Sequence, residues 1–509
     1  MATRLSLMRD ARLKKLADLR QLGLDPYPSV VHRTHTTKQA TIKNDQQVTV
    51  VGRVLSWRGH GKLQFADLVD ETGKIQLAFR VDKLDEQDYP LLKFIDVGDF
   101  IEVSGVTFTT KTGERTIEVS SFIILCKTTI PLPGQWYGLK DIEERYRKRY
   151  LDLILNPEVK KRLELRSEII RSIRDFLNML GFNEVETPTL QPIYGGGFAR
   201  PFITHHNILD ADMYLRISDE MYLKRLIVGG FEKVYEITKV FRNEGIDYDH
   251  NPEFTMFEAQ IAYKDYFYGM DLIEEIIEHT AQKVLGTTTF DYQGIEVSVK
   301  RPWKRLKMVE AINEFSGVDP LSWQTLDDAK NQVQRINGID LKKLSELVKF
   351  NSIGEVIAFV FEEVVESKLI QPTIIYDYPV ENSPLAKKCP NPRFTQRFEM
   401  FAFGSELGNN YTELNDPQDL KQRFIEEKKR EAAGFAEAHQ TDYDYLEAIE
   451  HGFPPTCGIA IGIDRLVMLL TNATSIKEVI AFPTLKPETQ NPDPGSGNTH
   501  DPGSKETKL

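Results

Sequence analysis

Side chains able to bind a nucleotide lie close together in one segment, and they are Arg242, Glu244, His250, Asn251 and Phe254. Apolar runs at 234–240 and 254–257 predict a strand on either side of a short loop. A guanidinium can pair with a phosphate or a carboxylate through two parallel hydrogen bonds. The segment therefore suits a nucleoside triphosphate, with Phe254 stacked on a purine, although a surface turn is the alternative.

A second segment, residues 458–470, alternates small residues with isoleucine and then becomes continuously apolar. Small residues in a strand allow close approach of a ligand or of another backbone. The pattern predicts a buried strand that leads into a helix, with Arg465 at the junction. A second arginine beside the first segment would add positive charge for a phosphate ligand.

Together the two segments resemble motifs 2 and 3 of class II aminoacyl-tRNA synthetases, at about 234–260 and 458–470. Gly181 to Pro188 resembles the end of motif 1 (about 165–188), a strand ending in proline that builds the dimer interface of that class. Four longer runs are similar to the lysyl-tRNA synthetases of bacterial type, in subclass IIb: 199–207, 222–225, 241–256 and 413–416. The resemblance extends from residue 5 to residue 485.

This resemblance implies a ligase that activates L-lysine with ATP to lysyl-adenylate and pyrophosphate, then transfers lysine to the 3′ end of lysine tRNA. In the first step a carboxylate attacks a phosphate, so negative charge must be neutralised and both reactants aligned. By the resemblance, Arg242 bridges the carboxylate and the α-phosphate, and Arg465 lies over the adenine or against the γ-phosphate. Glu399 and Glu406 would hold Mg²⁺, which prefers oxygen ligands. The further ATP contacts implied are Glu244, His250, Asn251 and Phe254.

An acid-lined pocket for the amino acid is also implied. Glu220 and the backbone of Gly196 would bind the α-amino group, and Glu258 and Glu413 would face the side chain. Such a pocket favours a long cationic side chain and repels aspartate. The implied lysine-binding residues are Gly196, Glu220, Arg242, Glu258, Gln260, Asn409, Tyr411, Glu413 and Ala460.

Three pocket residues depart from the family's pattern. Gln260 stands where the family usually has tyrosine, Tyr411 where it has phenylalanine, and Ala460 where it has glycine. Alanine at the last position is also typical of a short paralogue that attaches β-lysine to elongation factor P and lacks the N-terminal barrel. A β-lysine ligase acting on a protein and an aspartyl- or asparaginyl-type synthetase are therefore the alternatives. A non-catalytic tRNA-binding protein would require the loss of a catalytic residue, and none is missing.

Composition limits the class of protein and its location. The 509 residues contain no apolar run of about 18 residues, so no membrane span is expected. The N-terminus is charged from Arg4 onward, unlike an export signal. The three cysteines form no CxxC pair, so neither zinc nor a disulfide framework is predicted, and the cytoplasm is the expected location. The net charge of −12 does not oppose a tRNA partner, because phosphate binding needs only local positive charge.

Residues 1–46 are predicted to begin with an amphipathic helix. Apolar residues recur at helical spacing, namely Leu5, Met8, Leu13, Leu16 and Leu19. The basic residues of this segment are Arg4, Arg9, Arg12, Lys14, Lys15 and Arg20. We expect the helix to pack through its apolar stripe, with a basic face that is solvated, contacts tRNA, or does both.

Residues 47–130 contain five short apolar-alternating runs separated by turns, which predicts a five-stranded OB-fold barrel. A nucleic-acid base can stack on an aromatic side chain of such a barrel. Phe65 is the candidate, and a core phenylalanine is the alternative. By the resemblance, Phe65 stacks on an anticodon base of lysine tRNA, Gln76 and Glu114 read base edges, and Arg58 lies beside them.

An α+β catalytic domain, with a mainly antiparallel sheet flanked by helices, is expected over residues 158–484. Residues 131–157 are predicted to be a linker and a helix with a basic face formed by Arg145, Arg147, Lys148 and Arg149. Residues 318–370 suggest a helical insertion. Residues 485–509 are poor in large apolar side chains and are predicted to be a disordered tail. The resemblance implies a homodimer formed through motif 1.

Overall fold

The computed structural model describes residues 4–133, 139, 141–336, 338–432 and 441–487. The chain divides into two compact units, residues 1–142 and 143–509. Most of the predicted tail lies outside the described residues, which end at residue 487. The two units are considered separately.

The N-terminal unit is built on a closed barrel with strand order β1-β2-β3-β5-β4. Its strands are β1 (Gln47–His60), β2 (Leu63–Asp70), β3 (Gly73–Arg80), β4 (Phe100–Thr109) and β5 (Arg115–Cys126). Alternate residues point inward, so that Ala66 and Leu68 of β2 are buried and their neighbours are not. The predicted five-stranded barrel is confirmed.

Two helices precede the barrel, α1 (Arg4–Gln21) and α2 (Thr37–Thr41). The predicted apolar stripe of α1 is wrong over its first half, because only Leu16 and Leu19 are buried. The predicted basic face is also wrong at Arg12, which is buried. Its guanidinium donates hydrogen bonds to Thr128 Oγ1 (2.6 Å) and to the carbonyl of Val97 (2.8 Å). Arg12 therefore fixes the helix to one end of the barrel.

The C-terminal unit begins with α3 (Ile142–Arg147), α4 (Arg149–Leu155) and α5 (Pro157–Met179). The prediction that Arg149 lies on a basic surface is wrong, because its side chain is buried. It pairs with Asp152 at 2.7 Å and donates to the carbonyls of Lys477 and Ala481 at 2.7 and 2.9 Å. Lys477 lies within the short helix α15 (Ile476–Val479) and Ala481 lies beyond it, where backbone acceptors lack intrahelical partners.

An eight-stranded sheet forms the centre of the C-terminal unit, with the order β14-β15-β16-β17-β18-β11-β10-β6. Its strands are β6 (Asn183–Glu184), β10 (Lys233–Phe241), β11 (Glu253–Ala262), β14 (Lys304–Lys307), β15 (Thr373–Pro379), β16 (Phe394–Ala402), β17 (Ser405–Thr412) and β18 (Thr456–Gly462). Only the two edge pairs, β14–β15 and β10–β6, run parallel. The prediction of a mainly antiparallel sheet is therefore confirmed.

Helices cover this sheet and build its core. They are α6 (Glu220–Val228), α7 (Tyr266–Leu285), α8 (Met308–Ser316), α12 (Pro417–Ala432), α13 (Tyr443–Glu450), α14 (Ile463–Leu470) and α15 (Ile476–Val479). The largest apolar cluster joins the sheet to α5, α7 and α14. These packed layers hold the ends of β10, β11 and β16–β18 rigidly beside one another.

Smaller elements complete the unit. Two further sheets contain β7 (Leu190–Gln191), β8 (Ile203–His206) and β9 (Ala211–Leu215), and β12 (Thr289–Tyr292) and β13 (Ile295–Ser298). The segment predicted as an insertion contains α9 (Leu326–Val333), α10 (Leu341–Leu344), α11 (Ile353–Val364) and short 3₁₀ turns. Within the described parts of the chain, none of the helices combines the length and the apolar character that a bilayer crossing requires.

Candidate active site

A cavity of about 340 Å³ opens over the central strands β10, β11, β16, β17 and β18. All of the residues predicted for ATP, Mg²⁺ and lysine line it. They are Gly196, Glu220, Arg242, Glu244, His250, Asn251, Phe254, Glu258, Gln260, Glu399, Glu406, Asn409, Tyr411, Glu413, Ala460 and Arg465. Segments separated by more than 200 residues in the sequence thus meet in one cleft.

Arg242 follows β10 directly and faces this cavity. Its backbone N–H donates to the carbonyl of Pro252 (2.8 Å), which closes the β10–β11 hairpin, and its guanidinium lies 5.2 Å from the centre of the Phe254 ring. Burial lowers the pKa of Arg242, against the effect of the acids Glu244, Glu406 and Glu258. Its buried Nε has no hydrogen-bond partner among the described residues. An oriented cation with an unused donor is suited to an anionic ligand.

Arg465 occupies the first turn of α14 and is held from two sides. It donates to the carbonyl of Glu406 (2.7 Å), and its other terminal nitrogen lies 3.1 Å from His250 Nε2 and 3.5 Å from Asp249 Oδ2. A hydrogen bond with Asp249 raises the pKa of His250. Asp249 was not predicted from the sequence, because no simple pattern distinguishes it from the other polar residues of the loop.

Glu399 and Glu406 project from β16 and β17, on either side of the turn at Phe403 and Gly404. Glu399 accepts hydrogen bonds from the Tyr378 hydroxyl (2.8 Å) and from Arg397. Burial raises the pKa of Glu399 to about 7; Arg397 opposes this shift and Glu406 adds to it.

Glu366, which was not predicted, belongs to the same group of acids. Burial, followed by the charges of Glu399 and Glu406, raises its pKa to about 7. The charge of Glu406 raises the pKa of both Glu399 and Glu366, so a positive charge beside these hard oxygen donors would be favourable. The residues present therefore fit a divalent cation.

Lys224, which the sequence analysis missed, neutralises part of the predicted acid pocket. Its side chain is completely buried and its Nζ contacts both Glu220 and Glu413, the latter at 2.6 Å. Burial alone would lower the pKa of Lys224, but these two acids raise it well above the usual value. The i, i+4 spacing of Glu220 and Lys224 on α6 was the available signal.

Glu413 is buried and lines the same cavity. Gln260 donates to it at 2.8 Å, and burial raises its pKa to about 8 despite the opposing charge of Lys224. Tyr411 donates its hydroxyl hydrogen to Glu220. The buried Oε1 of Gln260 has no donor among the described residues, so it is available to a hydrogen-bond donor on a ligand.

Glu258 is buried on β11 and lines the same cavity as Glu413. It accepts from the Ser218 hydroxyl at 2.8 and 3.1 Å. A Cβ atom placed on Gly196 would lie only 2.7 Å from that hydroxyl, so Gly196 must pass closely over Ser218. The structure thus groups Gly196, Glu220 and Glu258 near Arg242.

Asn409 and Ala460 differ in their surroundings. Asn409 accepts from Arg397 Nε (2.9 Å) and pairs with Glu399 across β16 and β17, so it lies on the carboxylate side of the cavity. Ala460 lies opposite Glu258 on β11, and its N–H donates to the side chain of Asn410 (2.6 Å). Ala460 therefore lines the cavity on β18, beside Glu258 of β11.

One ion pair links the three predicted motifs. Arg166 of α5 contacts Asp464 at 2.5 Å and donates to the Thr255 hydroxyl at 2.9 Å. The second oxygen of Asp464 accepts from the backbone N–H of Thr255 at 2.6 Å. This triad fixes α5, β11 and the first turn of α14 to one another.

The outer face of the barrel carries the residues predicted to read an anticodon. Phe65 is half-buried and alternates with the inward-facing Ala66 and Leu68, so it lies on the outer face, between Arg58 of β1 and Ala78 of β3. Arg58 donates to Asp67 at 3.1 Å. This bond and one from Ser56 lower the pKa of Asp67, although burial opposes them.

The other two predicted residues of this face, Gln76 and Glu114, differ in their surroundings. The side-chain carbonyl of Gln76 accepts from the Thr116 hydroxyl (2.8 Å), and Gln76 is opposite Asp67 in the β2–β3 pair. Glu114 is exposed in the turn before β5. The structure brings Arg58, Phe65 and Gln76 onto neighbouring strands and places Glu114 at a loop.

Comparison with known proteins assigns both units. Residues 141–486 match the family of class II tRNA synthetases (D, K and N), and residues 48–125 match the family described as an OB-fold nucleic acid binding domain. The lysine–tRNA ligase of Carboxydothermus hydrogenoformans is 51% identical over 483 residues, which is 94% of this chain and 97% of that protein. The chain belongs to the lysine–tRNA ligase family.

Other members of the lysine–tRNA ligase family agree. That of Pelotomaculum thermopropionicum is 51% identical over 486 residues (94% of this chain, 95% of that protein), and that of Moorella thermoacetica is 50% identical over 482 residues (94% and 97%). These matches include the barrel as well as the catalytic unit. They confirm the predicted family and do not favour the β-lysine, aspartyl or asparaginyl alternatives.

Proposed function

We propose that this chain activates L-lysine with ATP, forming lysyl-adenylate and pyrophosphate, and then transfers lysine to the 3′ end of lysine tRNA. The observation that carries this proposal is the division of one cavity into an arginine-lined half and an acid-lined half. Family membership supports the same reaction, since the similar proteins are lysine–tRNA ligases.

The charges of the acid-lined half fit an amino acid with two ammonium groups. Glu220, Glu258 and Glu413 line the cavity, and Lys224 balances one of these three negative charges. Burial raises the pKa values of Glu258 and Glu413, but a bound ammonium would favour their ionised forms. Two negative charges would then remain for the α-ammonium and the side-chain ammonium of lysine. Aspartate would bring a carboxylate to Glu413 and would be repelled.

ATP would occupy the other half of the cleft. Arg242 would contact the lysine carboxylate and the α-phosphate together, because its buried Nε has no partner among the described residues. Phe254 would stack on the adenine, with Glu244, His250, Asn251 and Arg465 around the nucleotide. In this reaction the lysine carboxylate is the nucleophile, so the protein has to align and neutralise the two reactants rather than attack either one.

Mg²⁺ would be held by Glu399 and Glu406, whose mutual repulsion and burial favour a cation between them. When bound, it would neutralise phosphate oxygens of ATP. Arg397, which donates a hydrogen bond to Glu399, would orient that ligand.

The barrel would recognise the anticodon of lysine tRNA. Phe65 offers a half-buried ring to a base, and Arg58 supplies a nearby positive charge. Gln76 and Glu114 would read base edges. The match to an OB-fold nucleic acid binding family supports a nucleic-acid partner for this unit.

A homodimer formed through motif 1 is also proposed. Motif 1 ends at β6, an edge strand of the large sheet. The small sheet that follows exposes apolar side chains, including Ile203 (65%), Ile208 (91%) and Leu209 (65%), which a partner copy would cover. Analytical ultracentrifugation of the protein and of Ile208→Asp tests this; a native monomer would contradict it.

We also propose a cytoplasmic location, with which the three unpaired cysteines agree.

ATP–pyrophosphate exchange tests the proposed activity most directly. Lysine, β-lysine, aspartate, asparagine and norleucine should be compared in parallel. Norleucine is the matched control, because it has the shape of lysine without the side-chain ammonium. Exchange with lysine alone supports the proposal, whereas stronger exchange with β-lysine or aspartate would contradict it.

A further inference from the structure

Asp219 has a buried carboxylate group to which no described residue donates a hydrogen bond. It precedes α6 and has no exposed surface. Neither of its side-chain oxygens accepts a hydrogen bond from a described N–H or O–H group, and it does not cap its own helix. A buried carboxylate in this state is strongly unfavourable unless it carries a proton or shares one.

The nearby Arg216 does not donate a hydrogen bond to Asp219. Arg216 donates to Glu236 (2.8 Å), to the carbonyl of Lys239 (2.8 Å) and to Thr187 and Thr238. Its guanidinium is thereby committed to β10 and to the residues before β7. Asp219 consequently has a positive charge in its surroundings but no hydrogen bond from it.

The side chain that Asp219 does contact is the carboxyl group of Glu258. Two ionised carboxylates are acceptors only, so a hydrogen bond between them requires one proton. Burial, and then the charge of Glu236, raises the pKa of Asp219 to about 7, while Arg216 opposes the shift. Burial, together with Asp219 and Glu220, raises the pKa of Glu258 well above its usual value.

Glu258 lines the cavity and Asp219 does not. We infer that Asp219 is a positioning residue that shares one proton with Glu258, and so fixes the carboxyl group that receives the α-ammonium of the amino acid. Ser218 holds the same carboxylate with its hydroxyl, at 2.8 Å. The inference rests on the proposed function, because it takes lysine as the ligand. It places the α-ammonium at Glu258, whereas the resemblance assigned that group to Glu220 and Gly196.

A bound ammonium also changes the proton affinity of the pair. The other charged groups that face it are Arg216, Glu220, Glu236 and Arg242. A cation placed beside Glu258 favours the form of the pair that has lost its proton, so lysine binding lowers the pKa of the pair. Part of a proton is therefore released on binding, and the affinity for lysine rises as the pH increases through about 7.

Two substitutions test whether a proton donor or a negative charge is needed at position 219. Asp219→Asn places an amide N–H where the shared proton lies, whereas Asp219→Leu fills the space without a donor. Asp219→Asn should keep the KM for lysine within roughly threefold of the native value, because the hydrogen bond to Glu258 is retained. Asp219→Leu should raise the KM roughly 10- to 100-fold, as expected for loss of a hydrogen bond to a charged group.

Lysine binding should also be measured by titration calorimetry at pH 7 in two buffers with different ionisation heats. The native protein should release more protons per bound lysine than Asp219→Asn does. The proton release that remains in this variant would come from Glu413. Asp212→Asn, which changes an exposed carboxylate, is the matched control and should behave as the native protein. Thermal unfolding of each variant shows whether it is folded.

Each outcome of these measurements decides the question. Equal proton release by the native protein and Asp219→Asn would overturn the shared proton. A KM for Asp219→Asn that is as high as that for Asp219→Leu would show that the negative charge, and not the proton, is needed. A native protein that binds no lysine would overturn the proposed function and this inference with it, and that result is distinct from binding without a difference in proton release.

Discussion

Replacing Lys224 with methionine should destabilise the catalytic unit strongly. Methionine keeps the length and the apolar stem of lysine but removes the cation that contacts Glu220 and Glu413 in a fully buried position. Removing one partner from a buried ion pair typically costs about 3–5 kcal/mol, because a charge is left in the interior without compensation. At about 2 °C per kcal/mol for a large domain, the unfolding midpoint should fall by about 5–10 °C.

The pH dependence of this loss has a definite sign. Without Lys224, the pKa of Glu413, which burial already raises to about 8, should rise further above its unfolded value. A group whose pKa is higher in the folded state contributes stability at low pH and loses it as the pH rises through the folded value. The deficit of Lys224→Met should therefore be smallest near pH 5 and should grow towards pH 8.

Differential scanning calorimetry from pH 5 to pH 8 measures both effects. Lys283→Met is the matched control, since Lys283 pairs with Asp175 at 2.8 Å on the surface of the same unit and both side chains are about half exposed. That variant should unfold close to the native midpoint at every pH. If Lys224→Met does the same, Lys224 does not neutralise the acids of the pocket and the charge argument for a diamino substrate fails.

Three further predictions concern activity. Arg242→Ala should abolish ATP–pyrophosphate exchange while the protein stays folded, and near-normal exchange would show that this arginine does not contact the reacting groups. Phe65→Ala should weaken tRNA aminoacylation by about 1–3 kcal/mol, the value of one base stack, and leave pyrophosphate exchange unchanged; equal damage to both steps would contradict anticodon stacking. Ala460→Gly should lower the KM for lysine, because a methyl group in a tight site typically costs about 1–3 kcal/mol. Gln260→Tyr alone should raise that KM more than the double change does, and strict additivity of the two would show that the positions do not share one cavity.

The residues that line the cavity were predictable from the sequence because their types and their order indicate the chemistry. Arg242 and Phe254 lie on a hairpin that the apolar pattern marks, and Arg465 follows a strand of small residues. The barrel was predictable for a similar reason, since alternating burial is a local property of each strand. All sixteen predicted ligand residues line one cavity.

The residues that hold those side chains in place were not predictable in the same way. Arg149 looked like a surface cation, but its acceptor at Ala481 lies 332 positions along the chain. Arg12 is buried because carbonyls at the end of the barrel need a donor, and no local pattern reveals such a need. Asp219 reads as an ordinary residue before a helix, and only its distance from any donor distinguishes it.

The triad of Arg166, Asp464 and Thr255 has a mechanical consequence. Asp464 is adjacent to Arg465, and Thr255 is adjacent to Phe254. A small shift of α5 would therefore displace the cation and the ring that are proposed to flank the nucleotide at the same time. If a second copy packs against motif 1, each protomer would brace the nucleotide half of its own cleft through that contact. Dissociation of the dimer would then loosen the residues proposed to bind ATP. The contact between Glu413 and Lys224 would be unchanged. On dilution, the affinity for ATP would therefore fall, whereas the specificity for the amino acid would be retained.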